Sequence, residues 1–295
     1  MTDDELLKKL REDYVFNPWL NKIKEFRMNL QNGTHKFVLD QEKVDEYEHK
    51  IDTLKVDGEI ESFKLRLELL PQPFIGSPEA NIWLILKNPG FSEIDYYDHW
   101  GCITASSNLP AQQRDQECLN QRQDLMLAQY GFKQDAGKEF YLLDEVFHTS
   151  AISGKGGYGW YSRYLFPRDG LFSNFCDTNS AEARLAFCSQ NLFVLDYHPY
   201  HSESYCEEHS DVLKNTYWDR LIEHALCNNK LLVFWGSKIL GKVKKMFEEL
   251  YDNAVSQGRV YVLKGASAYF SSNCLFQVVG KQGRFMHSYL RMKAQ

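Results

Sequence analysis

The chain has 295 residues, 43% hydrophobic and 14% aromatic, with a formal net charge of −6. That length and apolar content suffice for one substantial α/β core and exclude a disordered chain. No apolar run approaches the roughly 20 residues that span a bilayer. The charged start Met1-Thr2-Asp3-Asp4-Glu5 is unlike a secretory signal, and the seven cysteines are scattered without a Cys-x-x-Cys pair, so a cytoplasmic protein without a disulfide framework or zinc site is expected.

Residues 1 to 68 are charged and helical in pattern, with Leu6, Leu7 and Leu10 at helical spacing, and are expected to form an N-terminal helical extension. Pro71-Gln72-Pro73-Phe74-Ile75-Gly76-Ser77-Pro78 then punctuates the chain and is expected on the sheet edge, opening a domain over 69–295. The run Asn81-Ile82-Trp83-Leu84-Ile85-Leu86-Lys87-Asn88-Pro89-Gly90-Phe91 reads as a buried strand stopped by Pro89 and turned by Gly90. Ligands of parallel α/β sheets sit beyond the carboxyl ends of the strands, which displays Asn88 where chemistry is usually done.

A long insertion near 91–180 follows, with helices expected near Gln112 to Gln129 and near Lys138 to Phe147. Its glycine- and aromatic-rich segment from Ser153 to Tyr164 reads as a mobile loop that approaches a sugar-phosphate backbone or closes over a base. Three further apolar runs end in polar clusters: Leu192 to Asp196 before Tyr197-His198-Pro199-Tyr200, Leu231 to Trp235 before Gly236-Ser237, and Val260 to Lys264 before Gly265-Ala266-Ser267-Ala268-Tyr269-Phe270. A helical pattern runs from Gly236-Ser237 to Leu250, and the tail from Cys274 to Met292 reads as a short strand and a basic helix. From Lys230 onward eleven Lys/Arg face three Asp/Glu, a local +8 against −14 for residues 1–229, and affinity for phosphates follows such local charge.

The order of these strand ends resembles the uracil-DNA glycosylase superfamily, especially its mismatch-specific and single-strand-selective branches, over roughly residues 70 to 275. The resemblance implies a three-layer α/β/α sandwich with a central four-stranded, mainly parallel sheet. It implies a monofunctional DNA glycosylase that flips a base out, hydrolyses its N-glycosidic bond and leaves an abasic site, with no cofactor and no obligatory protein partner. Asn88 matches the family's water-positioning residue, and Gly236 and Ser237 match a phosphate-contacting turn, directly followed by Lys238 of the basic segment as a further DNA contact. Gly90 matches a position where classical enzymes carry a tyrosine that blocks C5 substituents; glycine removes that wall beside Phe91.

Asp196 stands where uracil-specific relatives carry a base-reading asparagine. A carboxylate cannot donate to uracil O4 but accepts from the N4 amino group of cytosine, so Asp196 with Gly90 points to C5-substituted cytosine, hydroxymethylated or glucosylated as in phage DNA. Phage defence is the implied setting. His198, Tyr200 and His201 crowd the same strand end as further base contacts, and the histidines lack a recognised metal-ligand spacing. Ser267 is a candidate phosphate contact and Tyr269 or Phe270 a candidate wedge, although the histidine that relatives place before this serine is missing. Two alternatives stay open: a repair glycosylase for uracil or another deaminated base, and a non-catalytic DNA- or nucleotide-binding module of the same fold.

Overall fold

A computed structural model describes residues 1–54, 60–101, 116–148, 156–167, 170–264, 270–271, 274–279 and 282–285. In chain order these form α1 (Asp3–Glu12), α2 (Ile23–Gln31), α3 (Gln41–Asp52), the single turn α4 (Ile60–Phe63), β1 (Phe74–Gly76), β2 (Ile82–Leu86), α5 (Glu93–Trp100), α6 (Gln116–Gln129), α7 (Gly156–Leu165) and α8 (Ala181–Asn191). Then come β3 (Leu192–Asp196), α9 (Thr216–Cys227), β4 (Leu231–Trp235), α10 (Ser237–Met246), α11 (Glu248–Ser256), β5 (Val260–Leu263), β6 (Leu275–Val279) and β7 (Gln282–Phe285). No helix among the described residues is long and apolar enough to cross a membrane.

The four apolar runs form the parallel centre of one mixed sheet, in the order β3-β2-β4-β5. The sheet does not stop at four strands. Antiparallel β1 extends it beyond β3, and antiparallel β6 and β7 extend it beyond β5, giving seven strands among the described residues. The central strands read as unbroken apolar runs because both faces are covered. The added strands lack that signal: β1 has only three residues, and Gln277 and Gln282 interrupt or open the last two.

Strand order creates the place for a site. The chain leaves β2 to make β3 on one side, then crosses to make β4 on the other, so neighbouring connections diverge at the carboxyl end of β2. Such a switch point opens a crevice in an α/β sheet. β2 and β3 end level, with Leu86 opposite Asp196, and their pairing continues as Tyr197 and His198 donate backbone N–H groups to Leu86 O and Lys87 O. Asn88 is the first residue released from this ladder.

The N-terminal region is packed into the same core as the sheet. Leu6, Leu10, Trp19, Phe26 and Phe37 join one buried cluster with Trp83, Phe193 and Trp218. Trp19 stacks on Tyr130 at 5.3 Å, and Asn17 Nδ2 donates to Leu10 O and Tyr130 O. The start of α1 is anchored far away in sequence: Asp3 accepts from Lys230 Nζ at 2.7 Å and pairs with His224 Nε2 at 2.8 Å. Helix α3 builds a smaller cluster with Tyr200, Cys206 and Leu213.

Several expectations for the insertion need correction. The segment from Gly156 onward is helix α7, not a loop; Ser153 to Lys155 lie outside the described residues. Its glycines allow close packing, since an added Cβ would meet Ile94 Cγ2 at 2.8 Å from Gly156 and Leu142 Cδ1 at 3.0 Å from Gly157. The stretch 138–147 holds two short 3-10 turns, Tyr141–Leu143 and Glu145–Phe147, while α5 and α8 form helices that the periodicity did not mark. The expected basic terminal helix lies outside the described residues beyond Phe285, and Gln282–Phe285 is β7.

Candidate functional site

A cavity of about 530 Å³ opens at the carboxyl end of β2. Its walls come from the Asn88-Pro89-Gly90-Phe91-Ser92 turn, the inner face of α5, and α7, with Gln72, Gln129 and Tyr141 at other positions along it. The volume falls within the range typical of small-molecule sites.

Asn88 lines this cavity, and its side chain is oriented from behind. Nδ2 donates to both Ser202 O and Ser202 Oγ at 3.0 Å, and the Ser202 hydroxyl donates onward to Ser204 O at 2.9 Å. With both amide hydrogens committed, Oδ1 remains as the acceptor. The turn after it is held by His201, whose Nδ1 lies 2.8 Å from Gly90 O and Nε2 3.2 Å from Leu70 O. Burial pulls His201 down to about 4, with the two carbonyls acting against it, so the ring is neutral and its single N–H is best placed on Gly90 O.

Gly90 has φ +74, and a Cβ built there would find no atom of the described residues within 4 Å. The cavity is therefore open beside it. Phe91 is fixed in the wall by the Arg66 guanidinium, 4.6 Å from its ring centroid, and by Tyr96 edge-on at 5.4 Å. Opposite stand Trp160, Tyr161, Arg163 and Tyr164 of α7. Trp160 also packs on Trp235 at 4.8 Å, which joins this aromatic wall to the turn before α10.

Asp196 is fully buried and does not line the cavity. Gln72, which does, donates through Nε2 to Asp196 Oδ2 at 3.5 Å, while Oδ1 has no partner among the described residues. Burial raises the Asp196 carboxyl well above the usual range, opposed by the Gln72 bond. The expected base reader is thus set behind an amide. His198 is also fully buried and away from the cavity, stacked on Tyr205 at 5.8 Å with both ring nitrogens unpartnered among the described residues, and burial pulls it down to about 3. As a base contact it is corrected: the strand pairing that continues through His198 N–H turns its ring into a pocket shared with Tyr47. Tyr200 is buried as well, its hydroxyl accepting from Leu39 N–H.

The turn before α10 has Gly236 at φ +94, followed by exposed Ser237 and Lys238. Lys238 is ion-paired with Glu207 and Lys242 with Asp211, so part of the positive charge expected for phosphates is answered within the chain. Ser267 and Tyr269 lie outside the described residues. Phe270 is a core residue and not a wedge: it is fully buried and stacked on Phe172 at 4.5 Å, with its backbone bonded to Tyr164 and Leu171.

Residues that the sequence did not single out complete the cavity. Gln72 came from a proline-rich segment with no chemical signature. Asp95 and His99 lie one turn apart on α5, whose start is written in Ser92-Glu93-Ile94-Asp95, a capping box in which Ser92 N–H donates to Asp95 Oδ2 at 2.6 Å. Burial raises Asp95 to about 6, against the Ser92 bonds. Asp98 is ion-paired with the buried Arg122. Among the described residues no three His, Cys, Asp or Glu side chains gather to hold a metal ion. No protein-family profile matches the chain, and neither does any curated protein or solved structure.

Proposed function

We propose that the chain is a monofunctional DNA glycosylase acting on a C5-substituted pyrimidine, with C5-substituted cytosine favoured, and that helices cover both sheet faces in a three-layer α/β/α arrangement. The observation that carries this is Asn88: an amide at the switch point of the sheet, clamped through Nδ2 by Ser202 so that Oδ1 is presented at a cavity. An acceptor held this way positions a water for attack on an anomeric carbon, and positioning is the larger part of what an amide, a weak base, supplies.

The flipped nucleotide is received between the α5 face and the aromatic wall of α7, where Trp160 and Tyr161 replace the stacking it loses. Its C5 substituent enters the open space beside Gly90. The base edge meets the amides of Gln72 and Gln129, with the buried Asp196 carboxyl fixing Gln72 from behind. Because an amide both donates and accepts, the preference for a substituted pyrimidine rests on Gly90 more than on Asp196. Exposed Ser237 and Lys238 face the phosphate backbone.

The test is incubation with single-stranded and duplex oligonucleotides carrying uracil, 5-hydroxymethylcytosine or its glucosylated form, scored for alkali-labile abasic sites. Release of the substituted cytosines, abolished in Asn88→Ala, is expected. Release of uracil alone would give the repair reading, and DNA retention without release from any oligonucleotide would give the binding-module reading; either overturns the proposal.

A further inference from the structure

The α5 helix turns two polar groups into the cavity that no step above uses. Asp95 Oδ2 is spent on Ser92, accepting from its N–H at 2.6 Å and its hydroxyl at 3.3 Å, whereas Oδ1 makes no hydrogen bond to a described residue. At His99 the Leu70 N–H donates to Nδ1 at 2.9 Å, so the ring proton resides on Nε2, which has no partner among the described residues. Both residues line the cavity and both are more than nine-tenths buried. At i and i+4 they share one helix face, with Cβ atoms roughly 5–6 Å apart.

Neighbouring groups are engaged elsewhere: Asp98 with Arg122, Glu203 with Arg66, and the single N–H of His201 with Gly90 O. A fixed acceptor beside a fixed donor matches a hydroxyl group, which has one hydrogen to give and lone pairs to receive. A methyl group satisfies neither and leaves both buried groups unpaired.

We propose that Asp95 and His99 form a hydroxyl-reading pair, selecting pyrimidines whose C5 substituent carries a hydroxyl over those bearing a plain alkyl group. This rests on the glycosylase reading for the identity of the ligand, since the pair begins five residues beyond the open position at Gly90 and lines the same cavity. Burial holds His99 neutral, and Asp95, raised to about 6, is mainly ionised at pH 7.5, so the donor and acceptor roles are fixed at working pH.

The experiment measures equilibrium binding of the full chain to single-stranded oligonucleotides carrying one 5-hydroxymethylcytosine or one 5-methylcytosine, so that the readout does not require base release. Wild type is expected to prefer the hydroxymethyl oligonucleotide by about tenfold or more. His99→Asn keeps an acceptor for Leu70 N–H but lacks the outer donor; it is expected to lose the preference while binding the methyl oligonucleotide as wild type does. His99→Gln restores a donor near the Nε2 position and is expected to regain part of the preference. Asp95→Asn is expected to weaken it as well. No preference in wild type, or an equal fall for both oligonucleotides in His99→Asn, overturns the pair. Preference without release would sink the glycosylase reading and leave the pair standing; release without preference would do the reverse.

Discussion

Gln72 stands between Asp196 and the cavity, reaching back through Nε2 to a carboxyl that is itself fully buried. A direct reader at the end of β3 would change substrate when its acceptor becomes an amide. Here Asp196→Asn is expected to leave uracil release no better and to shift stability by only about 1 kcal/mol, because burial already disfavours the charged carboxylate and the amide has nearly the same size. Gln72→Ala is expected to impair release more than Asp196→Asn does. Uracil release rising steeply in Asp196→Asn would show that the carboxyl meets the base after all.

Asn88 is worth most as a positioned group. Asn88→Ala is expected to lower the single-turnover rate of base release by roughly 100-fold or more, with little change in DNA affinity. Ser202→Ala removes only one of the two acceptors behind the amide, since the Ser202 carbonyl remains. A loss of about fivefold, near 1 kcal/mol, is expected. Equal rates for wild type and Asn88→Ala would remove Asn88 from the mechanism.

At Gly90 space and backbone pull in different directions. Gly90→Ala meets no atom of the described residues within 4 Å but must hold φ +74, which costs about 1–2 kcal/mol. The bulky Gly90→Tyr is expected to cut kcat/KM for C5-substituted bases far more than for unsubstituted ones. Comparing the two substrate series in each variant separates backbone strain, which lowers both, from blockage, which lowers one.

His198 is expected to be dispensable for release and costly in acid. Burial holds its imidazole neutral, down to about 3, while in the unfolded chain it takes up a proton near pH 6.5. A depressed folded value means that its contribution is intact above pH 6.5 and declines as pH falls toward 3. Urea unfolding of His198→Phe against wild type should show a gap that widens in favour of the variant by about 2 kcal/mol between pH 7 and pH 5. Loss of base release in that variant at pH 7.5 would return His198 to the site.

Phe270 supports the wall from inside. Phe270→Ala is expected to cost about 3–5 kcal/mol of stability by leaving a hole against Phe172, with the folded fraction retaining DNA affinity. A stable variant with weakened DNA binding would instead point to a wedge.

The parallel centre of the sheet was legible because burial on both faces leaves unbroken apolar runs, and Asn88 was legible because Pro89 and Gly90 mark the strand end. What the sequence concealed was direction. Asp196, His198 and Tyr200 follow one another at a strand end, yet all three are buried away from the cavity, because pairing that continues past the strand fixes where each points. Glycines in α7 suggested a loop, since their value lies in contacts with Ile94 and Leu142 that only the folded chain brings near. Asp95 and His99 carried a visible helix start but no sign that their face of the helix would look onto the end of β2.

The tether from Asp3 to Lys230 spans 227 positions, so α1 gains its anchor only when the chain reaches the third of the four central strands. Until then Leu6 and Leu10 have no finished surface to cover, and long-range closures of this kind slow folding. The packing of α1 is thereby tied to completion of the sheet's centre, so the helix and the sheet are expected to gain their final order together.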